Sequence, residues 1–284
     1  EHLSEVKLGD IAEVETENLI RARLQRNYTF EDFIGESAKV RAVVHECKAA
    51  ATAPYPVLLL GESGTGKEIL ASAIHSFGMK SIQSPYIKIN CTAIPNQLLE
   101  SELFGYEKGA FTGANTGGKK GYFEIANNGV MFLDEIGELH PIQMNKLLKV
   151  LEDRKVMLES AYYSPEDTSI PRYIHDIFKN GLPADFRLVG ATTRSPSEIS
   201  PALRSRCMEV YFRALEPEEV TDIAYHSAER AGFTITHEDA SLVGRFASCG
   251  RDAVNIVQMC AGLAQMENRT DIEKKDVEWV IYSG

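Results

Sequence analysis

The sequence predicts an α/β fold, in which a parallel β-sheet lies between helices and is followed by a smaller helical domain. Four short apolar runs have the length of buried strands, at 56–60, 86–89, 130–133 and 187–191. Helical patterns separate them, notably at 69–75 and 142–152. After Phe212 the pattern changes to helical, beginning at Leu215-Glu216-Pro217 and broken at Gly232, Gly250 and 269–270. We therefore predict a linker helix over 1–29, an α/β domain over 30–213 and a helical lid over 214–284.

The first segment carries apolar residues at roughly helical spacing among many charges. They are Leu3, Val6, Ile11, Val14, Ile20 and Leu24. This spacing favours a helix with one apolar stripe, which would suit a linker. Because the periodicity is imperfect, a frayed N-terminal arm remains the alternative.

Composition narrows the class of protein. The 284 residues are 44% hydrophobic and carry a net charge of −11, which argues against a protein that coats nucleic acid, so we expect no direct DNA binding. The five cysteines include no C-x-x-C pair, as is typical of a reduced cytosolic protein. No apolar run approaches the roughly 20 residues of a membrane span. The expected location is the cytoplasm, without a membrane partner.

A glycine-rich segment follows the first predicted strand and precedes a helix. It reads Gly61-Glu62-Ser63-Gly64-Thr65-Gly66-Lys67. In this context glycines let backbone N–H groups surround a β-phosphate, and the ammonium of Lys67 neutralises β- and γ-phosphate oxygens. The next position, which usually holds a Ser or Thr for Mg²⁺, is Glu68. An ordinary glycine turn is the alternative, but strand, spacing and lysine together predict an ATP site.

Two adjacent carboxylates end the third predicted strand. Asp134 is suited to holding Mg²⁺ through its water shell, and Glu135 to polarising the water that attacks the γ-phosphate. Paired acids also occur on solvated turns, but a phosphate loop upstream favours the catalytic interpretation. We therefore predict a Mg²⁺-dependent ATPase that uses ATP and needs no nucleophilic side chain.

At these residues the chain resembles the AAA+ ATPases, and residues 30–135 are similar to the central domain of sigma-54-dependent transcription activators. The similarity includes Phe33-Ile34-Gly35-Glu36-Ser37, the phosphate loop with Glu68 itself, Asn90-Cys91 and Glu102-Leu103-Phe104-Gly105. The most specific string is Gly109-Ala110-Phe111-Thr112-Gly113-Ala114, which resembles the loop that these activators press against the sigma factor. A glycine-rich surface hairpin is the alternative for this loop.

Residues 134–284 resemble instead the ATPase module of the LonB-type Lon proteases of spore-forming bacteria. The matching strings are 137–146, 182–187, Pro201-Ala202-Leu203-Arg204-Ser205-Arg206 and Gly250-Arg251-Asp252-Ala253-Val254-Asn255. This division suggests a natural mosaic or an engineered fusion, joined near Asp134-Glu135.

Both resemblances imply the same machine, a three-layer αβα sandwich with a helical lid that works as a homo-oligomeric ring, expected to be a hexamer. Ile34 and Gly35 fall among the implied nucleotide-binding residues. Further implied roles are Thr193 as γ-phosphate sensor, Asn90 as the residue that holds Glu135 inactive, Arg206 as arginine finger assisted by Arg204, and Arg251 as a sensor in the lid. The alternatives are a helix N-cap for Thr193, a turn for Asn90 and a surface position for Arg251. Activators usually carry another arginine where this chain has Ser200.

Three functions remain open at this level. A transcription activator module acting on the sigma-54 factor is favoured by the loop at 109–114, although a helix-turn-helix reader is not expected within these residues. A protease-associated unfoldase is favoured by the second half, although no Ser–Lys peptidase is expected after Trp279. A scaffold that only binds ATP is disfavoured because Lys67, Asp134, Glu135 and Arg206 are all present. We favour the activator, because the loop that meets the substrate says most about the partner.

Overall fold

The computed structural model describes residues 28–35, 37–78, 84–106, 119–157, 164–168 and 172–283. The strands are β1 Val57–Gly61, β2 Tyr86–Asn90, β3 Gly105–Tyr106, β4 Lys119–Lys120, β5 Val130–Asp134, β6 Lys155–Val156, β7 Leu182–Pro183, β8 Arg187–Thr192, β9 Met208–Phe212, β10 Thr234–Ile235 and β11 Asp271–Ile272. The α-helices are α1 Ala38–Thr52, α2 Lys67–Gly78, α3 Asn96–Phe104, α4 Tyr122–Ile125, α5 Pro141–Asp153, α6 Arg172–Asn180, α7 Pro201–Arg204, α8 Pro217–Arg230, α9 His237–Phe246, α10 Gly250–Met266 and α11 Lys274–Ser283. Short 3₁₀ helices lie at Phe30–Asp32, Ile136–Glu138 and Pro196–Glu198.

The central sheet has five parallel strands in the spatial order β2–β5–β8–β1–β9. The register pairs Asn90 with Asp134, and Leu60 with Thr192. Parallel strands end at the same edge, so this register brings the phosphate loop, the paired acids and the end of β8 together.

Helices cover both faces of the sheet. Alternate residues of each strand point to opposite sides, so Leu58 and Met131 pack with helices α3 to α5, whereas Leu59 and Phe132 pack with α1 and α2. The predicted three-layer αβα sandwich is confirmed.

The four predicted strands are all present, each within one residue of its predicted bounds. The fifth strand, β9, was not predicted. It lies at one edge of the sheet beside β1, and its Tyr211 is 52% exposed while Val210 is buried. An edge strand alternates between apolar and exposed residues, so β9 lacks the continuous apolar run that marked the others.

Helices α8 to α11 pack around a third apolar cluster, which includes Val220, Val257 and Val277. Helix α8 begins at Pro217, as predicted, with Glu216 as its N-cap. A two-residue parallel pair, β10 with β11, adds to the expected helical lid. Within the described residues no helix is both long and apolar enough to cross a membrane. The predicted helix at 3–24 lies outside the described residues, and the boundary at 213/214 stays a prediction.

Candidate nucleotide site

The phosphate loop joins β1 to α2 and is closely packed on both sides. Gly64 and Gly66 have positive φ angles, +73° and +91°, which side chains other than glycine rarely adopt. A Cβ on Gly64 would lie 2.3 Å from Cys249 Sγ, and a Cβ on Gly66 would lie 2.4 Å from Phe33 Cε2. The loop therefore requires these glycines. It leads into the N-terminus of α2, and the backbone N–H groups of a helix N-terminus bind anions favourably.

Lys67 is the first residue of α2 and is only 7% exposed. Its ammonium donates hydrogen bonds to the carbonyls of Gly61, at 2.7 Å, and Glu62, at 2.6 Å. Burial lowers the pKa of Lys67, whereas the charges of Glu135 and Asp134 act in the opposite direction. The charge thus lies inside the loop and facing the two acids, where it can neutralise a phosphate.

Asp134 and Glu135 lie where β5 ends. Burial and then the charge of Glu135 raise the pKa of Asp134, while a hydrogen bond from the Glu135 N–H and the charge of Lys67 oppose the rise. Two half-buried carboxylates that repel each other form a site that a divalent cation would stabilise. Among the described residues there is no cluster of three or more His, Cys, Asp or Glu that could hold a metal ion.

Glu135 has a strained backbone, with φ 51° and ψ 46° in the left-handed region. For a residue other than Gly or Asn this conformation costs about 1 kcal/mol or more. Its carboxylate is held by Thr193, whose N–H and hydroxyl both donate to Glu135 Oε2 at 3.1 Å. Thr193 follows β8, the neighbour of β5 in the sheet. The sheet therefore brings the predicted base and the predicted sensor into direct contact.

A second polar contact joins the same two parts of the chain as the Glu135–Thr193 contact. Arg194 donates two hydrogen bonds to the carboxylate of Glu138, at 2.6 and 2.7 Å. Gly137 lies against Thr192 and Arg194, because a Cβ there would lie 2.8 Å from Thr192 Oγ1 and 2.9 Å from Arg194 Cδ. Sequence reasoning missed this pair, since nothing local connects residues that lie 56 positions apart.

Two arginines of the predicted finger segment are bound within their own chain. Arg204 forms a two-pronged pair with Glu209 in β9, at 2.6 and 3.1 Å. Arg206 binds Glu152 near the end of α5 and donates to the carbonyl of Ala202 at 2.8 Å. The side chain of Arg206 is about one-third exposed, at 37%. It therefore lies at the surface, where another molecule can approach it.

The fold resembles those of solved structures of two other proteins. The structure of NtrX from Brucella abortus with ADP superimposes with a TM-score of 0.68 at 21% identity, over 99% of this chain and 61% of that chain. A RuvB structure from Thermotoga maritima gives 0.60 at 20% identity, over 91% of this chain and 73% of that chain. The chain has an AAA+ fold.

Sequence comparison confirms both resemblances within the AAA+ class. The model of the sigma-54 interaction domain matches residues 33–158. The Nif-specific regulatory protein of Rhodobacter capsulatus is 50% identical over 125 residues, 44% of this chain and 21% of that protein. Lon protease 2 of Bacillus subtilis is 45% identical over 276 residues, 91% of this chain and 49% of that protein. The chain thus spans about half, or less, of the length of these relatives.

The Lon alignment changes the interpretation of a two-part chain. Because 91% of the chain cannot fit within residues 134–284, the similarity to Lon protease 2 extends through most of the first half as well. It therefore overlaps the match to the sigma-54 interaction domain at 33–158 instead of meeting it at Asp134-Glu135. One relative, Lon protease 2, is therefore similar to parts of both halves of this chain.

Three further residues of the predicted site, Asn90, Glu68 and Thr65, form polar contacts with other residues of the chain. Asn90 Oδ1 accepts hydrogen bonds from the N–H and hydroxyl of Thr92, at 2.9 and 2.7 Å, so in the described residues it is Thr193 that holds Glu135. Glu68, in the place of the usual Ser or Thr, pairs with Lys88 of β2. Thr65 is 5% exposed and donates to the carbonyl of Glu62.

The lid reaches the phosphate loop through the start of α10. A Cβ on Gly250 would lie 3.1 Å from the carbonyl oxygen of Gly64. Arg251, the next residue, is exposed. Burial is the main cause of the lowered pKa of Lys67, and the positive charge of Arg251 lowers this pKa further. The predicted lid arginine is therefore beside the loop without a fixed partner among the hydrogen bonds of the described residues.

Ile34 and Gly35 line a cavity of about 310 Å³ between the N-terminal segment and helix α8. The remaining lining residues are Glu31, Phe33, His226, Glu229 and Arg230. The predicted partner loop, Gly109-Ala110-Phe111-Thr112-Gly113-Ala114, lies outside the described residues, between β3 and β4.

Proposed function

We propose that this AAA+ module hydrolyses ATP with Mg²⁺ and uses the energy to remodel a protein partner. The observation that carries the proposal is the contact of Glu135 with Thr193 beside Lys67 and Asp134. Lys67 and the loop N–H groups would bind the phosphates, and Asp134 would hold the metal ion. The ion would supply positive charge that helps to neutralise the phosphates.

Glu135 is the proposed general base, and Thr193 restrains it. With two hydrogen bonds from Thr193, one carboxylate oxygen of Glu135 is already engaged and is a weaker acceptor for water. A γ-phosphate that draws the Thr193 hydroxyl towards itself would leave that oxygen with the N–H bond alone and make it a better acceptor. Thr193 would thus sense the nucleotide and loosen its hold on the base in one step.

Arg206 is the proposed arginine finger, with Arg204 in support. Its guanidinium is at the surface and paired with a carboxylate of its own chain, Glu152, so it is placed to exchange one anionic partner for another. A γ-phosphate in a neighbouring copy would be that partner. This supports a homo-oligomeric ring, which we propose to be a hexamer.

We propose the sigma-54 factor of RNA polymerase as the protein partner. The match of the sigma-54 interaction domain spans residues 33–158 and so includes the loop at 109–114 with Phe111. The net charge of −11 supports a protein as the target, not DNA, and such a partner would place the chain in the cytoplasm.

A second candidate is the ATPase module of a Lon-type protease. The observation that favours it is the 45% identity to Lon protease 2 over 91% of the chain. In that function the same ATPase would unfold a protein for degradation. The two candidates share the nucleotide site and differ in the partner.

The deciding experiment measures ATP turnover against protein concentration, with light scattering, in the presence of sigma-54 or of an unfolded model protein. The activator function predicts turnover that rises with assembly, and binding of sigma-54 in the presence of a transition-state mimic. Phe111→Ala should abolish that binding and leave turnover intact, whereas Tyr55→Ala, which alters an exposed aromatic outside the loop, should leave both intact. Stimulation by the unfolded protein alone would favour the Lon-type function, and absence of turnover would refute the ATPase proposal.

A further inference from the structure

Glu219 is a buried carboxylate that joins two separate parts of the chain, the segment 213–219 and Ser37. It lies in the first turn of α8 and is 9% exposed. Its oxygens accept two hydrogen bonds from Arg213, at 2.8 and 2.6 Å, one from the hydroxyl of Ser37 at 2.8 Å, and one from the N–H of Glu216 at 2.9 Å. Ser37 and Glu219 are 182 positions apart, so this contact is made only by the folded chain.

The carboxylate of Glu219 is charged, and both of its oxygens accept hydrogen bonds. Burial alone would raise the pKa of Glu219, but hydrogen bonds from Arg213, Glu216 and Ser37 outweigh it and lower the pKa to about 2. A buried acid with an arginine and further donors is stabilised, and removing one partner leaves an uncompensated charge. Glu219 therefore holds its partners at neutral pH as a carboxylate.

Ser37 connects this cluster to the segment that packs on the phosphate loop, where a Cβ on Gly66 would lie 2.4 Å from Phe33 Cε2. Its Oγ also accepts the N–H of Val40 at 3.1 Å and so caps helix α1. Ser37 stands two residues after Gly35, which lines the cavity beside α8. A displacement of Glu219 would thus displace the segment that carries Ile34 and Gly35.

The other end of α8 is attached to the same segment. Arg230 donates to the carbonyls of Glu31, at 2.8 Å, and Asp32, at 3.1 Å. Helix α8 is therefore tied at its first turn to Ser37 and at its last turn to residues 31–32. The cavity of about 310 Å³ lies between the helix and this segment.

We propose that Glu219 is a positioning residue that sets nucleotide affinity by fixing the first turn of α8 against the segment that carries Ile34 and Gly35. The inference rests on the proposed function, in which this chain binds ATP. Without the Glu219 contacts, the first turn of α8 loses its tie to this segment while the Arg230 tie at the last turn remains, so the wall of the cavity loses its fixed position. Binding then has to restore the order, and affinity falls.

The test compares Glu219→Gln with Glu218→Gln, which alters the exposed neighbouring acid of the same helix. We expect Glu219→Gln to weaken binding of a fluorescent ADP analogue by about tenfold, within the range of coupling between sites. In steady-state kinetics the larger effect should fall on KM for ATP and the smaller one on kcat. Glu218→Gln should match the wild type in both measurements.

A second variant keeps the proposal testable if Glu219→Gln does not fold. Ser37→Ala removes the distant donor and should weaken binding by a smaller factor, whereas Ser37→Thr keeps the hydroxyl and should restore affinity. In a double-mutant cycle Ser37→Ala should add little to Glu219→Gln, because both act through one contact.

Unchanged affinity in Glu219→Gln or Ser37→Ala, with only a lower melting temperature, would overturn the inference and leave a purely structural role. The readout is separate from hydrolysis. If the wild type binds the analogue but does not hydrolyse ATP, the proposed function fails while the binding shift still decides the role of Glu219.

Discussion

The phosphate loop carries Lys67, and the segment at 201–206 carries Arg206. Both side chains are cations, but the protein holds them in different ways. Lys67 is 7% exposed and its ammonium is held by two carbonyls of its own loop. Arg206 is about one-third exposed, and its guanidinium pairs with the carboxylate of Glu152. The first cation is buried and held by backbone carbonyls, whereas the second lies at the surface and is held by one carboxylate and the carbonyl of Ala202.

This difference shows what one chain organises alone and what assembly has to supply. The loop, the acids and Thr193 converge at one edge of a single sheet, so their geometry requires no partner. The exposed ion pair of Arg206 is worth only about 0–1 kcal/mol, so it can be exchanged for a stronger partner at small cost. The two regions should therefore respond differently to mutation and to mixing of subunits.

The largest effect is expected at Arg206. Arg206→Ala should lower kcat by about 1,000-fold or more, because an arginine finger stabilises charge in the transition state. If the finger acts between copies, mixing this variant with Glu135→Gln should restore part of the activity, since each supplies what the other lacks.

ATP turnover of the mixture and of each variant alone would be compared with that of Arg41→Ala, which changes an exposed arginine of α1 and should behave as wild type. If the mixture shows no recovery although both variants assemble, the comparison between a self-contained site and a shared one breaks down.

How much of this could be predicted depends on distance along the chain. The phosphate loop and Asp134-Glu135 were accessible because their residues are consecutive and follow apolar strands. The contact of Glu135 with Thr193 depends on β8 lying beside β5, a strand order that no local pattern encodes. The resemblance assigned the restraint of Glu135 to Asn90, and in the structure Asn90 binds Thr92.

The pairs Arg206–Glu152, Arg194–Glu138 and Ser37–Glu219 could not be predicted for a related reason. Each joins segments more than 50 residues apart through a charged or polar side chain, and such residues are common on any solvated surface. Strand β9 was missed because an edge strand has only one well-buried side.

Thr193 should show the next largest effect. Thr193→Val removes the hydroxyl that donates to Glu135 but keeps the N–H bond and the shape of the side chain. In the proposed function this hydroxyl moves from Glu135 to the γ-phosphate, and hydrogen bonds to charged groups contribute about 1.5–3 kcal/mol, so without it we expect kcat to fall by about 10- to 100-fold.

Thr193→Ser, which retains a hydroxyl, is the matched control and should stay within a few-fold of the wild type. Because the contact lies inside one chain, the loss in Thr193→Val should persist at concentrations at which the ring is fully assembled. A defect that disappears at high concentration would indicate an effect on assembly instead.

A smaller effect of opposite sign is expected at Glu152. Glu152→Gln weakens the hold on Arg206 in its own chain and so favours its transfer to a neighbouring site. Since an exposed pair contributes at most about 1 kcal/mol, turnover should rise by up to about fivefold, most clearly at low protein concentration. Asp153→Asn, a change at the adjacent exposed acid, should have no such effect. A fall in turnover would show that Glu152 orients the finger and does not restrain it.

The smallest effect concerns stability and measures the backbone strain at Glu135. Glu135→Gly places at φ 51° the residue that tolerates this angle best, so the free energy of unfolding should rise by about 1 kcal/mol while hydrolysis is lost. Glu135→Gln removes the same charge beside Asp134 but keeps the strained backbone, so the difference between the two variants in denaturant unfolding isolates the backbone contribution. Asn268→Gly, at φ 57°, should gain less, because asparagine tolerates this region better. Equal stability of Glu135→Gly and Glu135→Gln would mean that the strain at Glu135 is no larger than the conformational entropy that glycine loses on folding.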